Sequence, residues 1–151
     1  GELLSKLDVS KTGRVPTLVK FSVDTDRATL EKLVELCEQS GIAGYVATNT
    51  SSMRTGLVTS AQKLDAIGNG GLSGSAIAGR STQVVAWLSE ILQGAKPIIG
   101  VGGIDSPAEA IKKMEAGASL IQIYTGMVYR GPGLIKSIKK GLQKRDFFNE
   151  E

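Results

Sequence analysis

The sequence predicts an α/β fold in which four β-strands alternate with four helices, half of an eight-fold (β/α)8 barrel. Three observations carry that prediction. Four short runs, at residues 17–21, 44–48, 97–101 and 119–124, are almost continuously apolar and rich in β-branched residues, as strands of a buried parallel sheet are. A stretch with helical spacing of apolar residues follows each of them. The order β-α-β-α-β-α-β-α then requires parallel strands joined by right-handed crossovers.

The first helix is expected over residues 26–39, with Leu30, Leu33, Val34 and Cys37 on one face, which makes Cys37 a core residue. The second starts at Ser81 as a cap, carries Val84, Val85, Leu88, Ile91 and Leu92, and stops at Gly94. The third opens on Ser106-Pro107-Ala108-Glu109, a capping box with Pro at the first helical position, and ends at Gly117. The fourth runs over residues 132–144, with Leu134, Ile135, Ile138 and Leu142 aligned. Between residues 49 and 80 no helix-length apolar period appears, and Gly56, Gly68, Gly70, Gly71, Gly74 and Gly79 fall there. A connection that long in a compact domain is usually functional. Four βα units leave two open strand edges, an aggregation liability, so the other half of the barrel is expected on another chain or segment. A small open doubly wound sheet is the alternative.

Composition narrows the chemistry. With 41% hydrophobic and 22% charged residues, the chain is globular rather than disordered. Aromatics are only 5%, so the core rests on Val, Ile, Leu and Ala. One cysteine and no histidine exclude an internal disulfide, a Cys/His metal site, and Ser-His-Asp or Cys-His nucleophilic chemistry. No apolar run reaches the roughly 20 residues of a membrane span, and the N-terminus does not read as a signal peptide. The net charge of +3 gathers late, in Lys136, Lys139, Lys140, Lys144 and Arg145. A solvated helix face explains that run, with attraction to anionic lipid or another subunit as the alternative. The basic residues are not interleaved with aromatics, so no nucleic-acid partner is expected.

In barrels of this kind the site lies at the C-terminal ends of the strands. Lys20 sits inside the first apolar run and points either outward or into the barrel mouth, where a buried ammonium requires an anionic or polar partner. Thr48, Asn49 and Thr50 place an amide and two hydroxyls at the second strand end, which suits a flat polar ligand such as a pyrimidine. A plain strand-end turn reads equally well. Residues 70–74, Gly-Gly-Leu-Ser-Gly, allow the backbone to approach a ligand, or form a flexible loop. After the third and fourth strands come Gly102-Gly103 and Tyr124-Thr125-Gly126, each leading toward a helix. That pair matches the barrel phosphate site after strands seven and eight, so these four units are expected to be the last four. Asp105 beside it reads as a turn residue rather than an acid catalyst.

Five segments in order then resemble the dihydroorotate dehydrogenases: Val19-Lys20; Ala47-Thr48-Asn49-Thr50; residues 70–74; Pro97-Ile98-Ile99-Gly100-Val101-Gly102-Gly103-Ile104; and residues 117–125. The resemblance covers the last four βα units, about residues 16–142. Arg80-Ser81-Thr82 and residues 130–135 look like the quinone-reducing, membrane-associated class. The resemblance implies that residues 1–151 form the C-terminal half of an FMN-binding barrel domain. Lys20 would contact the flavin ring and Thr48 would lie against it. Ser73 and Gly74 would line the flavin pocket, Gly102, Gly103, Tyr124 and Thr125 would bind the FMN phosphate, and Asn49 and Thr50 would hold dihydroorotate or orotate. The base of this class is a Ser expected on the N-terminal half, so this segment alone should not turn over. The quinone-tunnel helices and the peripheral contact with the bacterial cytoplasmic or mitochondrial inner membrane would also belong to that half. The family's mobile active-site loop would end close to Gly1. One departure stands out: where the family usually continues Lys20 with Ile-Ala-Pro-Asp, this chain has Phe21-Ser22-Val23-Asp24. Two other readings remain at this point, a non-catalytic half barrel serving as an interaction subunit, and another barrel enzyme with a phosphate site.

Overall fold

The computed structural model describes residues 15–145 and Phe147; Gly1, where the family's mobile loop would end, lies outside them. Four strands, β1 (Leu18–Phe21), β2 (Gly44–Ala47), β3 (Ile98–Val101) and β4 (Leu120–Gln122), form one parallel sheet in the order β1-β2-β3-β4. Sequential order without a reversal is the barrel arrangement. A doubly wound sheet would change direction at a switch point. The chain is therefore half of a (β/α)8 barrel.

The helices are α1 (Arg27–Gln39), α2 (Ala61–Ile67), α3 (Ala78–Leu92), α4 (Pro107–Glu115), α5 (Thr125–Arg130) and α6 (Gly133–Gln143). α1 packs on α3, α3 on α4, and α4 on α6, so the crossover helices make one layer. Every second strand residue faces that layer. Phe21 stacks on Tyr45 with ring centroids 5.6 Å apart, among buried Leu30, Val34, Val84 and Leu88. A second cluster closes under Ile104, Ala110, Leu134, Ile138 and Leu142. The other strand face carries Leu18, Val46, Ile99 and Leu120, and nothing within the described residues covers it: Leu18 is 41% exposed and Leu120 57%.

Local chemistry starts and stops the helices. Asp26 caps α1, accepting from the Thr29 amide at 2.9 Å and its hydroxyl at 2.7 Å. Ser106 caps α4 by accepting from the Glu109 amide, and Pro107 opens the helix. Cys37 is buried, and that burial pushes its thiol pKa up. The basic run on α6 is solvent-exposed, opposite Leu134, Ile138 and Leu142.

Three sequence expectations need correction. Residues 49–80 are not without helix: α2 lies there, followed by a 3-10 turn (Gly74–Ile77) that runs directly into α3. α2 buries no residue, so it has no apolar period to detect. Arg54 holds it instead, donating to the carbonyls of Leu64, Gly68 and Gly70. Ser81 is not a cap. It is fully buried in the first turn of α3, and its hydroxyl donates to the Val101 carbonyl at 2.6 Å. The fourth strand ends at Gln122 rather than at residue 124. Among the described residues it pairs only with β3, and Tyr124 has already turned to head α5, a short helix that the spacing did not predict.

Candidate functional site

The C-terminal ends of the four strands meet around one cleft of about 230 Å³. All ten residues singled out from the sequence line it: Lys20 from β1; Thr48, Asn49 and Thr50 beyond β2; Ser73 and Gly74 from the long connection; Gly102 and Gly103 beyond β3; and Tyr124 and Thr125 beyond β4. The volume falls below the roughly 300–1,000 Å³ of an enclosed ligand pocket, as expected of a cleft with one wall present. Of the two orientations open to Lys20, the structure takes the one toward the barrel mouth.

The cleft is closed at its base by β3 and α3. The Thr48 amide donates to the Val101 carbonyl at 2.8 Å, and the Ser81 hydroxyl converges on the same oxygen. The Gly102-Gly103 turn packs directly on the first residue of α3: a Cβ at Gly103 would overlap the backbone of Ala78, and its φ of +72° is one that other residues resist. Gly126 is seated as tightly, because a Cβ there would overlap the Ile104 carbonyl. The close seating of Gly126 on Ile104 presses the two turns together. Thr125 donates to the Ser73 hydroxyl at 3.0 Å and so ties the long connection to the β4 end.

These features fit a flat ligand with an anionic tail. Thr48 lines the cleft, and its Oγ1 is buried with no hydrogen-bond partner among the described residues, an arrangement that is costly unless a bound group satisfies it. Gly102 and Gly103 have no side chain to keep an anion from their main chain, and Lys20 brings a cation to the same cleft. Ile77, Val101, Ile104 and Ile123 add an apolar lining. Val101, Ile104 and Ile123 fall inside the segments that carry the resemblance but without a role of their own there, and Ile77, in the 3-10 turn, lies outside all of them.

Behind the cleft, Lys113 of α4 is 1% exposed. Its ammonium donates to Thr82 Oγ1 at 2.6 Å and to the Ala78 carbonyl at 3.2 Å, which fastens α4 to the first turn of α3. Burial lowers its pKa to about 8, against the opposing pull of Glu109.

Four parallel βα units in sequential order, with glycine turns and a lysine gathered at one end of the strands, define half of a (β/α)8 barrel domain. The comparisons name the family. The model for dihydroorotate dehydrogenase matches residues 2–145. "Dihydroorotate dehydrogenase (quinone)" of Synechococcus sp. (strain JA-3-3Ab) is 43% identical over 145 residues, 93% of this chain and 38% of that protein. Its namesake in Cereibacter sphaeroides (strain KD131 / KCTC 12085) is 48% identical over 128 residues, 85% of this chain and 35% of that protein. The crystal structure of DHODH in complex with ferulenol from Eimeria tenella superposes with a TM-score of 0.78 at 31% identity, covering 87% of this chain and 34% of that one. The chain belongs to the dihydroorotate dehydrogenase family. It spans about two fifths of the length of the curated relatives it matches.

Proposed function

We propose that this chain is the C-terminal half of the barrel of a quinone-linked dihydroorotate dehydrogenase, and that its cleft holds FMN and one side of the pyrimidine substrate. The observation that carries the reading is the convergence of all ten residues on one cleft with an unpartnered Thr48 hydroxyl inside it. When bound, FMN would supply the hydride acceptor for the oxidation of dihydroorotate to orotate, with a quinone as the final acceptor of the electrons.

The chain's own residues bind and orient. Gly102, Gly103, Tyr124 and Thr125 hold the phosphate through main-chain donors and a hydroxyl. Lys20 sets a positive charge at the flavin ring, which favours its electron-rich reduced form. Thr48 donates to the ring, and Ser73 and Gly74 border it. Asn49 and Thr50 hydrogen-bond the pyrimidine; Asn can donate and accept at once, as the edge of a pyrimidine requires. No catalytic base falls among these residues, so the Ser that takes the proton is assigned to the part of the relatives that this chain does not span.

That part also supplies the partner surface. The bare strand face at Leu18, Val46, Ile99 and Leu120, and the apolar groove between β4 and α6 at Ile121, Ile123, Ile135 and Leu142, are where the remaining βα units would close the barrel. Contact with a membrane surface, and access for the quinone, are assigned to the same part. Among the described residues no helix is long and apolar enough to cross a membrane.

The visible absorption of the whole purified polypeptide tests the reading. An oxidised flavin spectrum near one FMN per chain, bleached by dihydroorotate and restored by a quinone, is the expected result. A colourless protein that remains colourless after added FMN overturns it.

A further inference from the structure

The segment that departs from the family pattern carries a clamp. Val23 and Phe21 are buried on either side of exposed Ser22, whose hydroxyl accepts from the Asp24 amide at 3.1 Å. Arg80 of α3 lies with its guanidinium 4.6 Å above the Trp87 ring and donates to the carbonyls of Val23 and Thr25, which flank Asp24. The Asp24 turn is thus fixed from both sides.

Its carboxylate then reaches across to the β2 end. It accepts from the Ser51 hydroxyl at 2.5 Å, from the Ser52 amide at 2.7 Å and from the Ser52 hydroxyl at 2.9 Å. Ser51 and Ser52 directly follow Asn49 and Thr50. Ser51 also pairs with Leu72 in an antiparallel bridge, and Gly71 is packed so closely on Thr50 that a Cβ there would overlap the Thr50 hydroxyl. The Asn49-Thr50 pair is therefore held at one end by the sheet and at the other by a carboxylate and the glycine loop.

We propose that Asp24 is a positioning residue for substrate: it does not touch the pyrimidine, but by gathering Ser51 and Ser52 it fixes the direction in which Asn49 and Thr50 present their side chains. This rests on the assignment of Asn49 and Thr50 to the pyrimidine, and it adds a residue outside the cleft lining. Partial burial pushes the Asp24 pKa up, but the hydrogen bonds from Ser51, Ser52 and Met53 outweigh it and the net shift is downward. Asp24 is accordingly an acceptor-only carboxylate at neutral pH, with no proton to contribute to chemistry.

The test uses the whole polypeptide with Asp24→Asn, which keeps the shape and removes the charge. Orotate affinity is expected to weaken about tenfold, the loss of one charge-assisted hydrogen-bond set, with KM for dihydroorotate rising more than kcat falls. The FMN content per chain should not change. Ser51→Ala combined with Ser52→Ala should also weaken orotate binding, because it removes the two hydroxyl donors and leaves the carboxylate only the Ser52 amide of that set. Amide hydrogen exchange at Ser52, whose N–H donates to the carboxylate, should accelerate in Asp24→Asn when read without substrate. Unchanged exchange at that amide overturns the clamp whatever the ligand proves to be. Accelerated exchange with unchanged orotate affinity overturns the positioning role alone. A wild-type protein that binds FMN but no orotate refutes the pyrimidine assignment of Asn49 and Thr50 and, with it, the positioning of substrate, while the exchange data still decide the clamp.

Discussion

The two faces of the sheet are both apolar, and only one of them is closed. On the helix side, Phe21, Tyr45, Leu88 and Ile98 are sealed under α1 and α3. On the concave side, Leu18, Val46, Ile99 and Leu120 have the composition of a barrel interior but stand partly in solvent. The first face explains why these four βα units hold together. The second adds little by itself, because apolar surface left in water contributes no burial. The cleft at the strand ends shares the asymmetry, with a packed floor and an open side.

The comparison is sharpest in paired truncations. Leu88→Ala, at a fully buried site on the helix side, is expected to cost about 2–5 kcal/mol in both the isolated segment and the whole polypeptide. Leu120→Ala should cost less than about 1 kcal/mol in the segment, where the side chain is already half in water, and about 2–5 kcal/mol in the whole polypeptide. Urea unfolding of the four variants beside their two parents measures this. Equal costs for Leu120→Ala in both settings would mean that the concave face is never packed against a complementary half.

A smaller effect separates the cleft floor from its rim. Gly103→Ala forces a Cβ into Ala78 at a positive φ and is expected to cost about 2–4 kcal/mol. In the whole polypeptide it should also lower FMN occupancy, because the main-chain donors shift with it. Gly70→Ala, where a Cβ meets open space, should leave both unchanged. Flavin absorbance per chain and the urea midpoint read the two variants together, and an occupancy loss common to both would place the phosphate elsewhere.

Much of the site was legible in the sequence because glycine turns and short polar motifs directly follow strand ends, and strand ends are easy to find from apolar β-branched runs. Lys20, Asn49 and Gly103 each lie within a few residues of such an end. The supporting layer was not legible. Asp24 finds its partners 27 and 28 residues away, and Arg80 reaches Val23 across 57. No local pattern encodes such pairings. Ser81 was misread for a related reason: a serine at the head of an apolar period looks like a cap, yet its hydroxyl is used on Val101 while the 3-10 turn before it supplies the helix start. The departure at Phe21-Ser22-Val23 also changes meaning once the packing is visible, since Phe21 gains Tyr45, Val23 is sealed and Ser22 locks the turn.

The smallest effect concerns a charge inside the closed face. Lys113 is ionised at neutral pH, and its folded pKa of about 8 lies below the 10.5 of an unfolded lysine. Between those values the unfolded chain binds the proton and the folded chain does not, so stability rises with pH across that window. Below pH 8 both states are charged and the group gives no slope. The gain from pH 8 to 9.5 is expected to be about 1.5 kcal/mol. Tyrosines and other lysines titrate nearby, so the quantity to measure is the difference between wild type and Lys113→Met, which removes the titration but keeps a chain of similar length beside Ala78 and Thr82. Wild type should gain on the variant as pH rises. Parallel stability curves would show that Lys113 keeps an ordinary pKa, and that water reaches its ammonium despite the packing around it.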